Sequence, residues 1–433
     1  MRPVDVVTER ALEGSRPADS LLVWAWRGGR LVLDEPLDVV DWSFGDSAGG
    51  SVKIGQQVSL TVADPRGELG AWRFDDALGV GGTELQIIYR VGGAGAINYG
   101  KFRITGNEPV EVVDWREIDE FGLDVPDSQL GPHRRKKAIV TAAVKLTAVD
   151  LTINPDRDKL EAPESPALAA TYLTEVQRLL VNHFPVVVEA GVTDAAIPRT
   201  TVYDRERLEA VQDILARRNA RYRMGGDGEL RVYPRVTDPV WRVEPEKGMV
   251  SVSRKQVLDK LYNRWVVSGK DSGDGKPVTA VVSIDTGPLR FGGDHGRAQE
   301  FYTSDMIETY GQALAYGIQL RDEFLSSIAV EFEVETTPRP ELQGGDWIDV
   351  GYPLTAGHVA YFPCQIVGIS RSGAKVPAGT RITVQCSYND MITALGRTEW
   401  AQYLTAGTPE LIWDRMPSTW GRLPALTWDE LSG

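Results

Sequence analysis

Apolar and polar residues alternate along most of the first 125 positions, which is the period of half-buried β-strands. Asp19–Arg27 (DSLLVWAWR) reads as a strand, and Gly28-Gly29 predicts a tight turn into Leu31-Val32-Leu33. Further strands are predicted at 39–44, 52–63, 83–91, 97–104 and 110–115, separated by Gly, Asp and Pro clusters such as Gly92-Gly93-Ala94-Gly95. Short strands at this spacing point to a closed barrel or a sandwich. The pattern breaks at 121–127, and a long strand is expected over 138–153.

The period then changes. Over 166–184, Leu168, Tyr172, Val176, Leu179 and Leu180 recur at three- and four-residue steps, the stripe of an amphipathic helix. A second helix is expected from Asp204 as N-cap to about Asn219, with Leu208, Val211, Ile214 and Leu215 on its apolar side. Residues 221–224 and 229–233 then read as a hairpin across Gly225-Gly226-Asp227-Gly228. Strands return at 249–253, 261–267 and 278–284. One long helix is predicted from Ser304-Asp305 toward Ser327, followed by strands at 328–334, 346–350, 362–369 and 381–388.

The predicted fold class is mainly β with an α/β insertion (α+β). Residues 1–125 form a first barrel-like β domain, and 126–236 an α/β unit. Residues 237–396 form a second β-dominated domain with one long helix, part of which can complete the first barrel. Residues 397–433 are an extended, Trp-rich arm. A length of 433 residues suits about three domains.

Composition narrows the function classes. With 42% hydrophobic and 25% charged residues, the chain is neither disordered, collagen-like nor a coiled-coil rod. It has no run of about 20 apolar residues of the kind that spans a bilayer. Residues 1–20 carry charge throughout, so no secretory signal is expected. The formal charge of −14 is unfavourable for binding nucleic acid, which depends on neutralising phosphates.

Candidate chemistry is sparse. Cys364 and Cys386 are too few for a disulfide framework or a structural zinc site, and Cys386 shares the apolar phase of Ile382 and Val384. His133, His183, His295 and His358 are isolated from one another. Gly79-Val80-Gly81-Gly82 lacks the Lys-Ser/Thr of a phosphate loop and reads as a hairpin turn. Asp271-Ser272-Gly273-Asp274-Gly275 places a glycine where a calcium loop needs a ligand, and reads as a solvated loop. The basic run His133–Lys137 reads as a solvated connector. Among 61 acidic residues no catalytic pair stands out. The expectation is therefore a protein with no catalytic residues, no metal and no cofactor, and not an enzyme. Residues 400–433 hold four of the twelve tryptophans, three of which open similar short units: Trp413, Trp420 and Trp428. These are the candidate partner-docking residues, because indole rings anchor well in neighbouring surfaces.

Four stretches, in their order, carry a resemblance. They are the β-rich start with its 45–55 loop and Gln57–Val62; Tyr203-Asp204-Arg205 with its helix and the hairpin at 225–232; Leu261–Val267 with Pro277–Val281; and the helix ending near Ser327 followed by Pro340–Val350. In this order the chain resembles the baseplate or tail-tip hub family (minor tail proteins) of long-tailed bacteriophages, of the siphophage type that infects actinobacteria. The resemblance covers most of residues 15–395 and brings no catalytic signature.

It implies a homotrimeric ring in which two barrel-like domains per subunit alternate around the axis. Its implied partners are the tail tube or distal tail protein, other tail-tip proteins and the tape measure protein, with DNA only in transit. The implied location is the tail tip of the virion, assembled in the host cytoplasm. The channel lining is expected to be net acidic, so that phosphates are not held. The rival reading is a carbohydrate-binding or cell-wall-degrading tail protein, or the hub of a contractile injection particle.

Overall fold

The structure is a computed structural model. It describes residues 1–14, 18–48, 52–118, 135–198, 201–235, 238–255, 261–271, 277–287, 289–303, 309–327, 329–355, 358–373, 377–387, 390–391 and 394. Two compact units are present. One comprises residues 1–251, 334–348 and 365–383; the other comprises 252–333, 349–364 and 384–433.

In the first unit, helix α1 (Val6–Glu13) opens on Asp5, whose carboxylate accepts the Thr8 amide at 2.7 Å. It buries Leu12 in the first hydrophobic core. The strands β1 (Ser20–Arg27), β2 (Arg30–Leu31), β3 (Val39–Ser47), β4 (Gln56–Asp64), β5 (Glu84–Arg90), β6 (Ala96–Ile118) and β7 (Arg135–Asp150) follow. Alternation sets their inward faces. Val58, Leu60 and Val62 of β4, Leu85, Ile87 and Tyr89 of β5, and Val144, Leu146 and Ala148 of β7 are all buried. Trp42 and Phe44 of β3 meet them, together with Tyr99 and Phe102 of β6.

Antiparallel pairing runs β3-β4-β7-β6-β5-β1-β2. Among the described residues β2 pairs only with β1, so this sheet is open within one chain. The two strands expected at 97–104 and 110–115 are one. β6 runs unbroken through Gly106 and Pro109 against β7, with a register shift between Ile104 and Gly106.

The α/β region of this unit has its own core. Its helices are α2 (Ile153–Arg157), α3 (Tyr172–Leu180) and α4 (Arg207–Ala216), and its strands are β8 (Val186–Val188), β9 (Ala220–Met224) and β10 (Leu230–Pro234). A capping box between Thr171 and Thr174 starts α3, so the helix begins later than the periodicity predicts, and Leu168 stays outside it, exposed. Likewise α4 starts beyond the expected cap Asp204, at Arg207, with Glu206 as its uncapped N-cap residue. Its predicted apolar side is buried as expected: Leu208, Val211, Ile214 and Leu215. The hairpin forms as predicted, with Met224 opposite Leu230. The parallel β8 completes an order of β8-β10-β9. Strand β11 (Trp241–Val243) and the start of β12 (Met249–Lys255) close this stretch.

In the second unit, β13 (Arg264–Asp271) lies between antiparallel β14 (Pro277–Ser283) and parallel β15 (Gln299–Thr303). Helix α5 (Tyr310–Ser327) packs on this sheet through Ala313, which meets Val267 and Ala280. The remaining strands are β16 (Ala329–Thr336), β17 (Trp347–Thr355), β18 (His358–Gly373) and β19 (Pro377–Ser387). The molecule is thus mainly β with its helices in three places, α1 on the first core, α2–α4 in the α/β region and α5 on the β13–β15 sheet, in line with the predicted class.

Candidate functional site

The three tryptophans singled out as docking residues, Trp413, Trp420 and Trp428, lie outside the described residues, as do His133, Arg134 and residues 272–276. The two cysteines are free and buried, and burial together with Cys386 pushes the Cys364 thiol up, out of its reactive range. Gly79–Gly82 does not open a helix. The backbone at Gly79 and Gly81 packs so closely on the Phe74 carbonyl that a Cβ at either would sit about 2.5 Å from it (2.5 Å and 2.4 Å). This packing builds the 65–83 loop, whose Trp72 and Phe74 rings stand in solvent at 88% and 79% exposure. Asp76 accepts the Trp72 and Arg73 amides at 2.8 and 2.7 Å, and Arg27 donates to the Asp75 and Asp76 carbonyls and to Thr83. Two exposed aromatics on a hydrogen-bonded loop form an apolar patch that their sequence, Trp72-Arg73-Phe74 beside ordinary turn residues, did not reveal.

The first unit also contains a buried ionic cluster that sequence reasoning missed. Its members come from distant places: Arg2, Asp46 on β3, Tyr99 on β6, Arg371 on β18, and Arg339, Glu341 and Asp346 from the 334–348 segment. Arg2 donates through Nη1 to the Pro340 and Leu342 carbonyls at 3.2 and 3.0 Å, and its guanidinium lies 4.3 Å from the Tyr99 ring centre. Arg371 donates through Nη2 to the Arg339 and Leu342 carbonyls at 2.9 and 2.8 Å.

Arg339 in turn reaches Glu341 at 3.4 Å and stacks on Trp241 at 4.4 Å. Asp346 accepts the Gln343 amide at 2.9 Å and pairs with Arg223 at 3.3 Å and with the Met1 amine. Residues 337–345 belong to no strand, so their carbonyls need donors from elsewhere, and the planar five-donor guanidinium supplies several at once. Burial lowers the Arg2 pKa and raises those of Asp46 and Tyr99. The cluster fixes a loop to a sheet.

A cavity of about 100 Å³ adjoins it, lined by Asp46, Gln56, Asp150, Gln212, Tyr222 and Tyr233. The Tyr222 hydroxyl donates to the Lys53 carbonyl at 2.9 Å, and Gln212 Nε2 donates to the Val52 carbonyl at 2.7 Å, tying the 52–55 segment to the α/β region. Asp150 accepts from the Gln56 amide at 2.8 Å, from the Thr152 amide at 2.9 Å and from Thr152 Oγ1. Among the described residues no basic side chain pairs with it, and burial raises its pKa above the ordinary 3.8.

An acid whose folded-state value is raised holds its proton more tightly when folded. Its contribution is therefore complete at low pH and is lost as pH rises through the folded value, at about 1.4 kcal/mol per unit of separation. Urea unfolding of the wild type and of Asp150→Asn, from about pH 4 to about pH 8, is expected to show the wild-type advantage shrinking as pH rises. A pH-independent difference would refute this.

Among the described residues no group of three or more His, Cys, Asp or Glu side chains is placed to hold a metal ion, and no helix is long and apolar enough to cross a membrane.

Neither a family model nor a curated protein sequence matches the chain. Solved structures do. A tail protein from Neisseria meningitidis is 13% identical and aligns over 84% of this chain and 96% of its own length, with a TM-score of 0.51. The tail protein of prophage MuSo2 from Shewanella oneidensis is 11% identical over 85% of this chain and 98% of its own, also at 0.51. The chain has the fold of phage tail proteins. A Francisella PdpA-VgrG complex matches at a TM-score of 0.50 and 9% identity, over 88% of this chain and 60% of that one. The likeness to the two tail proteins takes in almost their whole length, so it rests on the sequence of units and not on one shared motif. At these identities it concerns the path of the backbone, and no residue's role transfers with it.

Proposed function

We propose that the protein is a structural part of a phage virion: a homotrimeric hub at the tail tip of a long-tailed phage. It joins the tail tube to the host-recognition apparatus and lines part of the DNA exit channel. The observation that carries this reading is the near-complete overlap with solved tail proteins, up to 98% of their length. The role is one of shape and docking, with no chemical step and no cofactor.

Three physical features support it. Among the described residues the sheet ends on the edge strand β2, and such an edge favours pairing with another chain and gives a route to barrel-like closure between subunits. The ordered loop carrying Trp72 and Phe74 offers apolar area to a neighbour. The formal charge of −14 keeps passing DNA from adhering. Its neighbours would be the tail tube or distal tail protein, the other tail-tip proteins and the tape measure protein, in a particle assembled in the host cytoplasm.

Light scattering of the purified protein across a concentration series tests the reading. The expected mass is that of three 47.6 kDa chains, held on dilution, with a central channel visible in images of the particle. A chain that stays monomeric at every concentration overturns the self-assembling ring.

A further inference from the structure

One face of the β8-β10-β9 sheet is the packed face, with Ala220, Met224, Leu230 and Val232 buried against α3 and α4. Strand alternation therefore puts Arg221, Arg223, Arg231, Tyr233 and Arg235 on the other. The register confirms the grouping: Arg221 is opposite Tyr233, Arg223 is opposite Arg231, and the Arg235 amide donates to the Asn219 carbonyl at 2.9 Å. Four arginines on one small face repel one another unless acids are interleaved.

For two of them, acids are. Arg223 pairs with Asp346 at 3.3 Å and with Glu189 at 3.7 Å, while its guanidinium stacks on Tyr233 at 4.6 Å. Arg231 pairs with Asp227 and lies 3.9 Å from Glu229.

Arg221 and Arg235 differ. Neither has a carboxylate within ion-pair reach among the described residues, and Arg221 Nε is buried with no hydrogen-bond partner. Burial and, after it, the neighbouring Arg235 charge press the Arg221 pKa down. Both arginines line a hollow of about 340 Å³, whose wall also includes Tyr233, Glu189, Asp238 and Trp347. Two arginines without a carboxylate partner among the described residues thus share this hollow with an indole and a phenol.

We propose that Arg221 and Arg235 together bind the carboxylate of an Asp or Glu side chain from a neighbouring protein chain. A guanidinium fork matches a carboxylate in charge and in geometry, and two of them satisfy all its lone pairs. The acids on the wall are Glu189, Asp346 and Asp238, the first two paired with Arg223; they admit a single carboxylate but repel a backbone carrying many phosphates, so nucleic acid is not the ligand. The chain's own surplus of acids makes a second copy one source of the carboxylate and a different tail protein the other. The inference rests on the assembly reading only in taking the partner to be a protein.

The test uses the full chain with Arg221→Gln and Arg235→Gln combined, beside Arg231→Gln as a control outside the hollow. Removing these two like charges should leave the melting temperature unchanged or raised, because among the described residues no carboxylate pairs with either. If a second copy supplies the acid, the double variant self-associates about tenfold more weakly by light scattering, while the control does not. If another tail protein supplies it, self-association is unchanged. In that case a tetraglutamate peptide binds the wild type and binds the double variant about tenfold less well.

The proposal is overturned if both self-association and peptide binding are the same in wild type and double variant, or if a single-stranded oligonucleotide displaces the peptide. A wild type that is monomeric yet binds the peptide through these arginines refutes the trimeric hub but not the carboxylate site.

Discussion

Replacing Arg371 by alanine is expected to cost the first unit about 3–5 kcal/mol, the loss typical of removing one partner from a buried charged network. Arg371 is 3% exposed and donates from one nitrogen to both the Arg339 and Leu342 carbonyls. Alanine leaves the buried Arg339 carbonyl without this donor and the Leu342 carbonyl with Arg2 alone, and it removes one of the two guanidinium charges near Asp46, the other being Arg2 at 3.9 Å. The guanidinium also covers the Phe44 and Tyr99 rings, at 5.6 and 5.7 Å, so packing is lost with the charge.

Lysine is expected to recover little. Its ammonium is a compact point donor on a flexible stem and cannot stack on the two rings as a guanidinium plane does. Urea denaturation reads the result directly as a lower midpoint at an unchanged slope. A loss below about 1 kcal/mol would mean that the carbonyls find other donors and that the cluster is dispensable. Against typical domain stabilities of about 5–15 kcal/mol, the expected loss removes about a fifth or more of the total.

The same cluster shows where sequence reading stops. Arg2, Asp46, Tyr99, Arg339, Glu341 and Arg371 obey no common period, and each looks like an ordinary surface residue beside its chain neighbours. Only the pairing of β18 with β3, Arg371 opposite Phe44, brings them together. Strands and helices were legible because burial repeats every two residues along a strand or every three to four along a helix. That pattern located β1, β4, β5, α4 and the 221–233 hairpin. It split β6 in two because Gly106 and Pro109 are turn residues by type. The fold uses Gly106 for a different reason: a Cβ there would lie 2.4 Å from Thr147 Oγ1 across the ladder.

α1 was missed because its eight residues carry charge on most sides and only Thr8 and Leu12 are buried. The arginine face of β9 and β10 was visible as a string of arginines, but which of them lack acids depends on Asp346 and Glu189, far along the chain.

Trp265→Ala is expected to cost the second unit about 3–5 kcal/mol, the range for truncating a large buried aromatic. Trp265 is 1% exposed in β13, the central strand of its sheet, and its ring lies 5.2 Å from that of Phe324 on α5. The rest of the contact between α5 and this sheet has Val267, Ala280 and Ala313 as its buried members, with Val278, Leu314, Tyr316 and Leu320 partly buried around them. Few side chains can move in to fill the space an indole leaves. The helix cannot simply settle lower either, because at Gly317 an added Cβ would already stand 2.8 Å from Val282.

Trp265→Phe separates the two parts of the effect. The phenyl ring keeps most of the packing and loses the 3.0 Å hydrogen bond from Nε1 to Glu300. Glu300 is exposed and returns to water, so the phenylalanine variant should lose only about 1 kcal/mol. Hydrogen exchange locates the damage: amides of β13 and β14 should lose protection in the alanine variant, while those of β4 and β7, built on a separate core, keep theirs. Equal losses for alanine and phenylalanine would show that the hydrogen bond, and not the ring's volume, holds α5 to its sheet.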